Sequence, residues 1–310
     1  MRRTSTILLF SLLTLLFACN FNQSKSKDSG EPEKYDLVID SMKIAKIRLV
    51  TSADYRRVLD TIDPGDLASL TIAGYLLKNC VVDTLIRDSM FLVYDDFVNH
   101  LAGIYFENNE KVSNQLGIAP SPQNVSSLKR MFGEQGMLLY SVEGSYYLEP
   151  QTKFLLQNFG SSLSPAYREF LTIESEEQQR LFARDGKILI PGDSLISRII
   201  RWDRFIETNK GFVSIRSAQD KYAQYLGAFL AGMESSKIFN PETNILNDSS
   251  RTSFESLVDK YPGTRSSEVV REYLDLLRST DFAYTEKDDS FLLKKVYGLE
   301  MEEEQKKIIQ

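Results

Sequence analysis

Beyond residue 34 the apolar positions recur mostly at intervals of three and four, the period that puts side chains on one face of a helix. Met90, Tyr94, Phe97, Val98, Leu101 and Tyr105 form one such stripe. Leu195, Ile199, Trp202, Phe205 and Ile206 form a second, and Ala218, Tyr222, Tyr225, Leu226, Phe229 and Leu230 a third. Asp63 followed by Pro64 has the chemistry of an N-cap and first-turn proline, which predicts a helix running through Leu67, Leu70 and Tyr75. Aromatic stripes at this spacing are read as core rather than as a ligand box. The period breaks between Met137 and Leu148, where MLLYSVEGSYYL holds two β-prone runs about Glu143 and Gly144 and predicts a short hairpin. Two strands are marginal alone in water, so they must lie against helices. A smaller extended piece is expected from Lys187 to Ile190, between Gly186 and Pro191. Loops are expected at 114–123, with Gly117, Pro120 and Pro122, and at 239–250, rich in Asn, Pro and Ser. The pattern as a whole predicts a mainly α protein, a helical bundle or irregular helical array with one small β-hairpin.

The first eighteen residues follow a different logic. Arg2 and Arg3 precede an apolar run from Ile7 to Phe17, interrupted by Ser11 and Thr14. A bilayer-spanning helix needs about 20 apolar residues. The shorter run has the dimensions of a signal-peptide core instead. It ends in Leu16, Phe17, Ala18 and Cys19, which resemble the lipobox of bacterial lipoproteins, with Phe17 where a small residue is more usual. The resemblance implies that residues 1–18 are a signal peptide, and that Cys19 becomes the acylated N-terminus of a chain anchored in a membrane. A thiolate is a strong nucleophile and suits acyl transfer. Several chains are needed for firm retention, since each buried methylene contributes about 0.8 kcal/mol. Asn20 after the cysteine resembles the arrangement sorted to the outer membrane. The polar stretch to Lys34 holds one large apolar residue, Phe21, so 19–34 is expected to be lipidated cysteine plus flexible tether. The folded region is then 35–300, with 114–123 and 239–250 as the places where it would divide, and 301–310 is a charged tail.

Near the end, Phe254, Leu257, Val258 and Tyr261 are followed by Pro262, Gly263 and Thr264, then by Val269, Val270, Tyr273, Leu274 and Leu277. This resembles the helix-turn-helix joint of tetratricopeptide-like repeats in bacterial envelope lipoproteins. Pro262 disfavours helix at Tyr261, Gly263 permits the turn, and Ser266 or Ser267 is a candidate cap for the next helix. The resemblance implies one antiparallel helix pair. No regular period recurs elsewhere, so a repeat array is not expected.

The formal net charge of −6 becomes about −8 once Arg2 and Arg3 leave with the signal peptide. That sign argues against nucleic acid, whose binding rests on neutralised phosphates, and offers no basic patch to an anionic membrane. Cys80 has no disulfide partner once Cys19 carries lipid, and its neighbours Leu76, Leu77, Val81 and Val82 mark it as a small buried hydrophobe. His100, the only histidine, is expected on a helix surface. A zinc site wants three or four ligands, and no nucleophile elbow, phosphate loop or dinucleotide fingerprint is present. Asp60, Asp63, Gly65 and Asp66 have the wrong spacing for a calcium loop, which would place Thr71 where glutamate belongs. The adjacent pairs Asp95 with Asp96 and Glu176 with Glu177 are read as solvated charge, because neighbours on a helix do not face each other.

No catalytic, cofactor-binding or metal-ligating residue is therefore nominated. Tyr146 and Tyr147 are the candidate partner-binding residues, since strand alternation sends them to opposite faces and tyrosine combines apolar area with a polar tip. The function expected is that of a non-catalytic, lipid-anchored envelope protein that binds another protein or a peptide. Alternatives are a hydrolase or glycan-acting enzyme using carboxylates from separate helices, or a small-ligand carrier with an apolar pocket.

Overall fold

The computed structural model describes residues 48–63, 68–107, 122–142 and 145–298. The signal peptide, Cys19, the tether, Pro64 with the first residues of its expected helix, most of the 114–123 loop, the Glu143–Gly144 turn and the charged tail lie outside them. Within the described residues the protein is a mainly α, irregular helical array carrying a small hairpin.

The chain enters through α1, Ser52–Leu59, closed by a reciprocal cap in which Thr51 Oγ1 accepts from the Asp54 amide and the Asp54 carboxylate accepts from the Thr51 amide. Helix α2, Ala68–Asn79, and the long α3, Thr84–Glu107, follow. Met90, Tyr94, Val98 and Leu101 of the predicted stripe are all buried on α3. That helix packs on α1, on α2 and on the second strand of the hairpin. Helix α4, Pro122–Glu134, starts inside the expected loop, with proline in a position where its missing N–H costs nothing.

Strands β1, Met137–Val142, and β2, Ser145–Pro150, pair antiparallel with Tyr140 opposite Tyr147 and Leu139 opposite Leu148. Leu139 and Leu148 face the core. Gly136 leads into the hairpin at φ +77°, and a Cβ there would lie 2.3 Å from the Phe154 ring. Only glycine lets the turn pass that ring, and the Gly136 carbonyl then accepts from the Gln151 amide at 2.8 Å, closing the base of the hairpin.

Helices α5, Thr152–Phe159, and α6, Pro165–Gln178, form the next pair, and a two-residue turn at Asp185 and Gly186, both at positive φ, joins β3, Ala183–Arg184, to β4, Lys187–Ile188. The second and third stripes form α7, Gly192–Thr208, and α8, Ile215–Ala231, which pack on each other; Trp202, Phe205, Leu226 and Leu230 are almost wholly buried. The expected terminal hairpin is present as α9, Asp248–Lys260, and α10, Arg265–Arg278, with Gly263 at φ +79° in the turn. The cap of α10 is Thr264, whose hydroxyl accepts from the Ser267 amide, and not Ser266 or Ser267 as expected. Ser266 is diverted because its amide and hydroxyl both donate to Asp203 of α7, at 2.8 and 2.6 Å. The last described helix, α11, Glu286–Lys295, packs on α8 and α10.

Rings tie these layers together: Phe91 of α3 meets Tyr167 of α6 edge to face at 4.8 Å, Tyr167 meets Phe212 edge to face at 5.0 Å, and Phe170, tilted against Phe212, meets Trp202 edge to face.

Asp203 is buried and its carboxylate anchors α7 to the start of α10. Asp203→Ala leaves the Ser266 amide and hydroxyl without that acceptor, and a loss of about 2–4 kcal/mol is expected from urea unfolding followed by circular dichroism. Asp203→Asn keeps an acceptor oxygen and should lose less than half as much.

Candidate functional site

Strand alternation places Tyr146 and Tyr147 as the sequence predicts. Tyr146 packs against the core, whereas Tyr147 lies on the outer face of the hairpin, half-buried and stacked on Tyr140 with ring centroids 5.6 Å apart and planes 20° from parallel. The register also puts Glu149 and Leu138 on that outer face. Glu149 accepts from Gln178 Nε2 at 3.3 Å, and Gln178 donates again to the Pro150 carbonyl at 2.8 Å, fixing the end of the hairpin to α6.

Residues 174, 177 and 178 share one face of α6. Glu174 forms an ion pair of 3.4 Å with Lys221 of α8. Burial raises the carboxyl of Glu174, and Lys221 opposes the rise; burial likewise raises Glu149, opposed by the Gln178 hydrogen bond and by Lys221. One ammonium thus serves two carboxylates on different elements. Tyr140 belongs to the same neighbourhood: burial raises its hydroxyl, as does the charge of Glu149, while Arg184 opposes it.

Asp95 of α3 lies near enough to Glu174 to feel its charge. Burial pushes its carboxyl up from 3.8 to about 7, with further contributions from the negative charges of Glu174 and Asp96. Asp96, one residue on, is exposed and pairs with Arg56 at 3.1 Å. The pair Glu176 and Glu177 divides in the same way. Glu176 is exposed and pairs with Arg201. Glu177 is buried, accepting from Tyr225 Oη at 2.8 Å and from Trp202 Nε1 at 3.1 and 3.2 Å, with Arg198 Nε 4.0 Å away. The reading of both pairs as solvated charge is corrected on this point: Glu177 is buried and Asp95 is partly withdrawn from solvent. The 100° step between neighbours, which stops them facing each other, is what sends one inward and the other out.

The remaining sequence candidates lie apart. Cys80 is half-buried, its thiol raised by burial and directed at the Leu77 carbonyl. His100 is exposed on α3, as expected. Asp60 is the C-terminal cap of α1. An open groove of roughly 330 Å³ runs between α9 and α10, with Val258 and Leu274 flanked by charged residues that include Asp259 and Arg271. Among the described residues no three His, Cys, Asp or Glu side chains are grouped to hold a metal ion. No described helix is long and apolar enough to cross a membrane.

Residues 95, 149, 174 and 221 come from four elements, so no local spacing announces them. Tyr140 was within reach: a hairpin centred on Glu143 and Gly144, as the sequence predicts, sets it opposite Tyr147, which is the register found. Compared with protein-family models, curated proteins and solved structures, the chain gives no significant match.

Between pH 4 and 7 the folded chain keeps a proton on Asp95 that the unfolded chain has released, because the folded value is about 7 and the ordinary one 3.8. The folded state binds more protons there, so this group makes stability fall as pH rises through the window and level off above it. Asp95→Asn should remove that slope, leaving the melting temperature little changed near pH 4 and raising it by about 3 °C or more at pH 8. Thermal melts at the two pH values measure it.

Proposed function

We propose that the chain is a lipid-anchored accessory protein of the bacterial cell envelope, and that the outer face of the hairpin with its α6 and α8 neighbours binds a protein or peptide partner. The address rests on the Leu16–Cys19 lipobox resemblance and the polar stretch behind it. The binding surface is supported chiefly by one observation, the stacked Tyr140–Tyr147 pair held half-buried beside Glu149. Stacking fixes both rings before any partner arrives, so little side-chain freedom remains to be lost on binding. Carboxylates next to such rings favour a partner segment with basic or hydrogen-bond-donating groups. Anchoring calls for no chemistry of its own, which agrees with a sequence that carries no recognisable catalytic motif.

The test has two parts. The mature protein should begin at Cys19 with acyl chains attached; a mass spectrum showing another N-terminus or a bare thiol refutes the address. Crosslinked envelope membranes should yield a partner with the wild-type chain and about tenfold less of it with Tyr147→Ala plus Glu149→Lys. Equal recovery with both chains removes the surface from consideration.

A second reading is favoured by Asp95, whose carboxyl is pushed up to about 7 by burial, within the field of Glu174. A carboxyl of that kind is suited to general acid or base work in a glycan-acting or hydrolytic site. On this reading Asp95→Asn and Glu174→Gln each lower turnover of envelope glycans by about a hundredfold, with a pH profile whose inflection near 7 is lost. Unchanged turnover in both variants rules it out.

A further inference from the structure

The two most exposed large apolar side chains of the described residues sit at one corner: Val81 is 94% exposed and Leu85 76%, while no other of this class exceeds 48%. The corner is the connection from α2 to α3, and it is braced from within. The Arg87 guanidinium donates to the carbonyls of Leu77 and Cys80 at 2.9 and 2.7 Å. The Cys80 thiol points at the Leu77 carbonyl, and Val82 packs back onto the core. Asp83, the one acid between the two apolar residues, turns its carboxylate to the start of α3, where it accepts from the Ile86 amide at 3.0 Å. Val81 and Leu85 are therefore held outward on a braced support.

Two aliphatic side chains offer on the order of 200 Å² of apolar surface, far below the roughly 1,200 Å² of a stable protein–protein interface. A convex knob of this size suits a fluid that closes around it rather than a shaped pocket. Twenty-eight residues separate Cys19 from Arg48, and a chain of that length reaches at most about 100 Å, so an anchor at Cys19 confines the body to a layer next to the lipid. A contact too small to hold a free protein at a surface suffices for one already confined there. The mature chain's net charge of about −8, the −6 of the full sequence less Arg2 and Arg3, gives no attraction to anionic headgroups, which points to apolar insertion between zwitterionic ones.

We propose that Val81 and Leu85 form the point at which the tethered body dips into the acyl layer of a zwitterionic bilayer. This rests on the anchored reading above, and the experiment separates the two. The mature chain carries an N-terminal hexahistidine in place of Cys19 and is held on phosphatidylcholine vesicles containing a nickel-chelating lipid, so attachment does not depend on acylation. Leu85→Trp supplies the reporter, with the wild-type emission of Trp202 subtracted. Its emission should shift to the blue on the vesicles and fall about twofold when the acyl chains carry bromine, and Val81→Asp in the same chain should abolish both effects. Emission indifferent to bromine while the chain stays on the vesicle overturns the proposal. So does a blue shift that grows with protein concentration without lipid, which would assign the corner to a second copy of the chain. The anchored reading stands or falls separately, on the mass of the natural N-terminal peptide.

Discussion

Where a helix begins, its first amide groups have no partner within the helix, and in this protein distant side chains supply several of them. The start of α6 is completed by Asp88 of α3, which accepts from the Ser164 amide at 3.0 Å while Ser164 itself caps the Tyr167 amide. Asp203 of α7 does the same for α10, and Gln178 of α6 accepts from the Thr152 amide at the start of α5. Asp88 and Asp203 are buried. A buried carboxylate is costly unless hydrogen-bonded, and an unanswered amide is costly too, so each pairing removes two penalties at once. These bonds fix helix ends relative to helix sides, which apolar packing alone leaves free to slide. Without them the hairpin, hung between α4 and α5, would have no defined stance against α6, and Glu149 would not meet Gln178.

The same constraint shapes the candidate site. Glu177 is answered in full by Trp202, Tyr225 and Arg198, and so it is structural. Glu174 and Glu149 share Lys221. Asp95 has only like charges acting on it, and it responds by holding its proton.

Long regular stripes made α3, α7 and α8 legible: Tyr105 aside, their residues are buried, or, for Phe97 and Ile206, half-buried against the core. The hairpin and the α9–α10 joint were legible because glycine and proline punctuate them. Helices α1, α4, α5, α6 and α11 were not predicted, although three of them carry capping signals: Thr51 with Asp54, Ser164 before Pro165, and Thr285 with Asp288. Those signals are short and polar, and they lack the repeated apolar stripe that gives a helix weight in a sequence. The site was mostly illegible for a different reason. Its carboxylates and its lysine meet only through tertiary packing, and burial, which raises Asp95 and Glu174, is not a property of a residue type.

Trp202 is the only tryptophan in the chain. Its ring lies between Phe170 and Phe205, and its indole N–H is committed to Glu177. Light absorbed by the native protein at the red edge of the near ultraviolet therefore reports on a single place, the seam where α6 meets α7. Loosening of that seam reaches the detector undiluted, whereas rearrangement of the hairpin or of the α2–α3 corner is optically silent until an added chromophore gives it a voice.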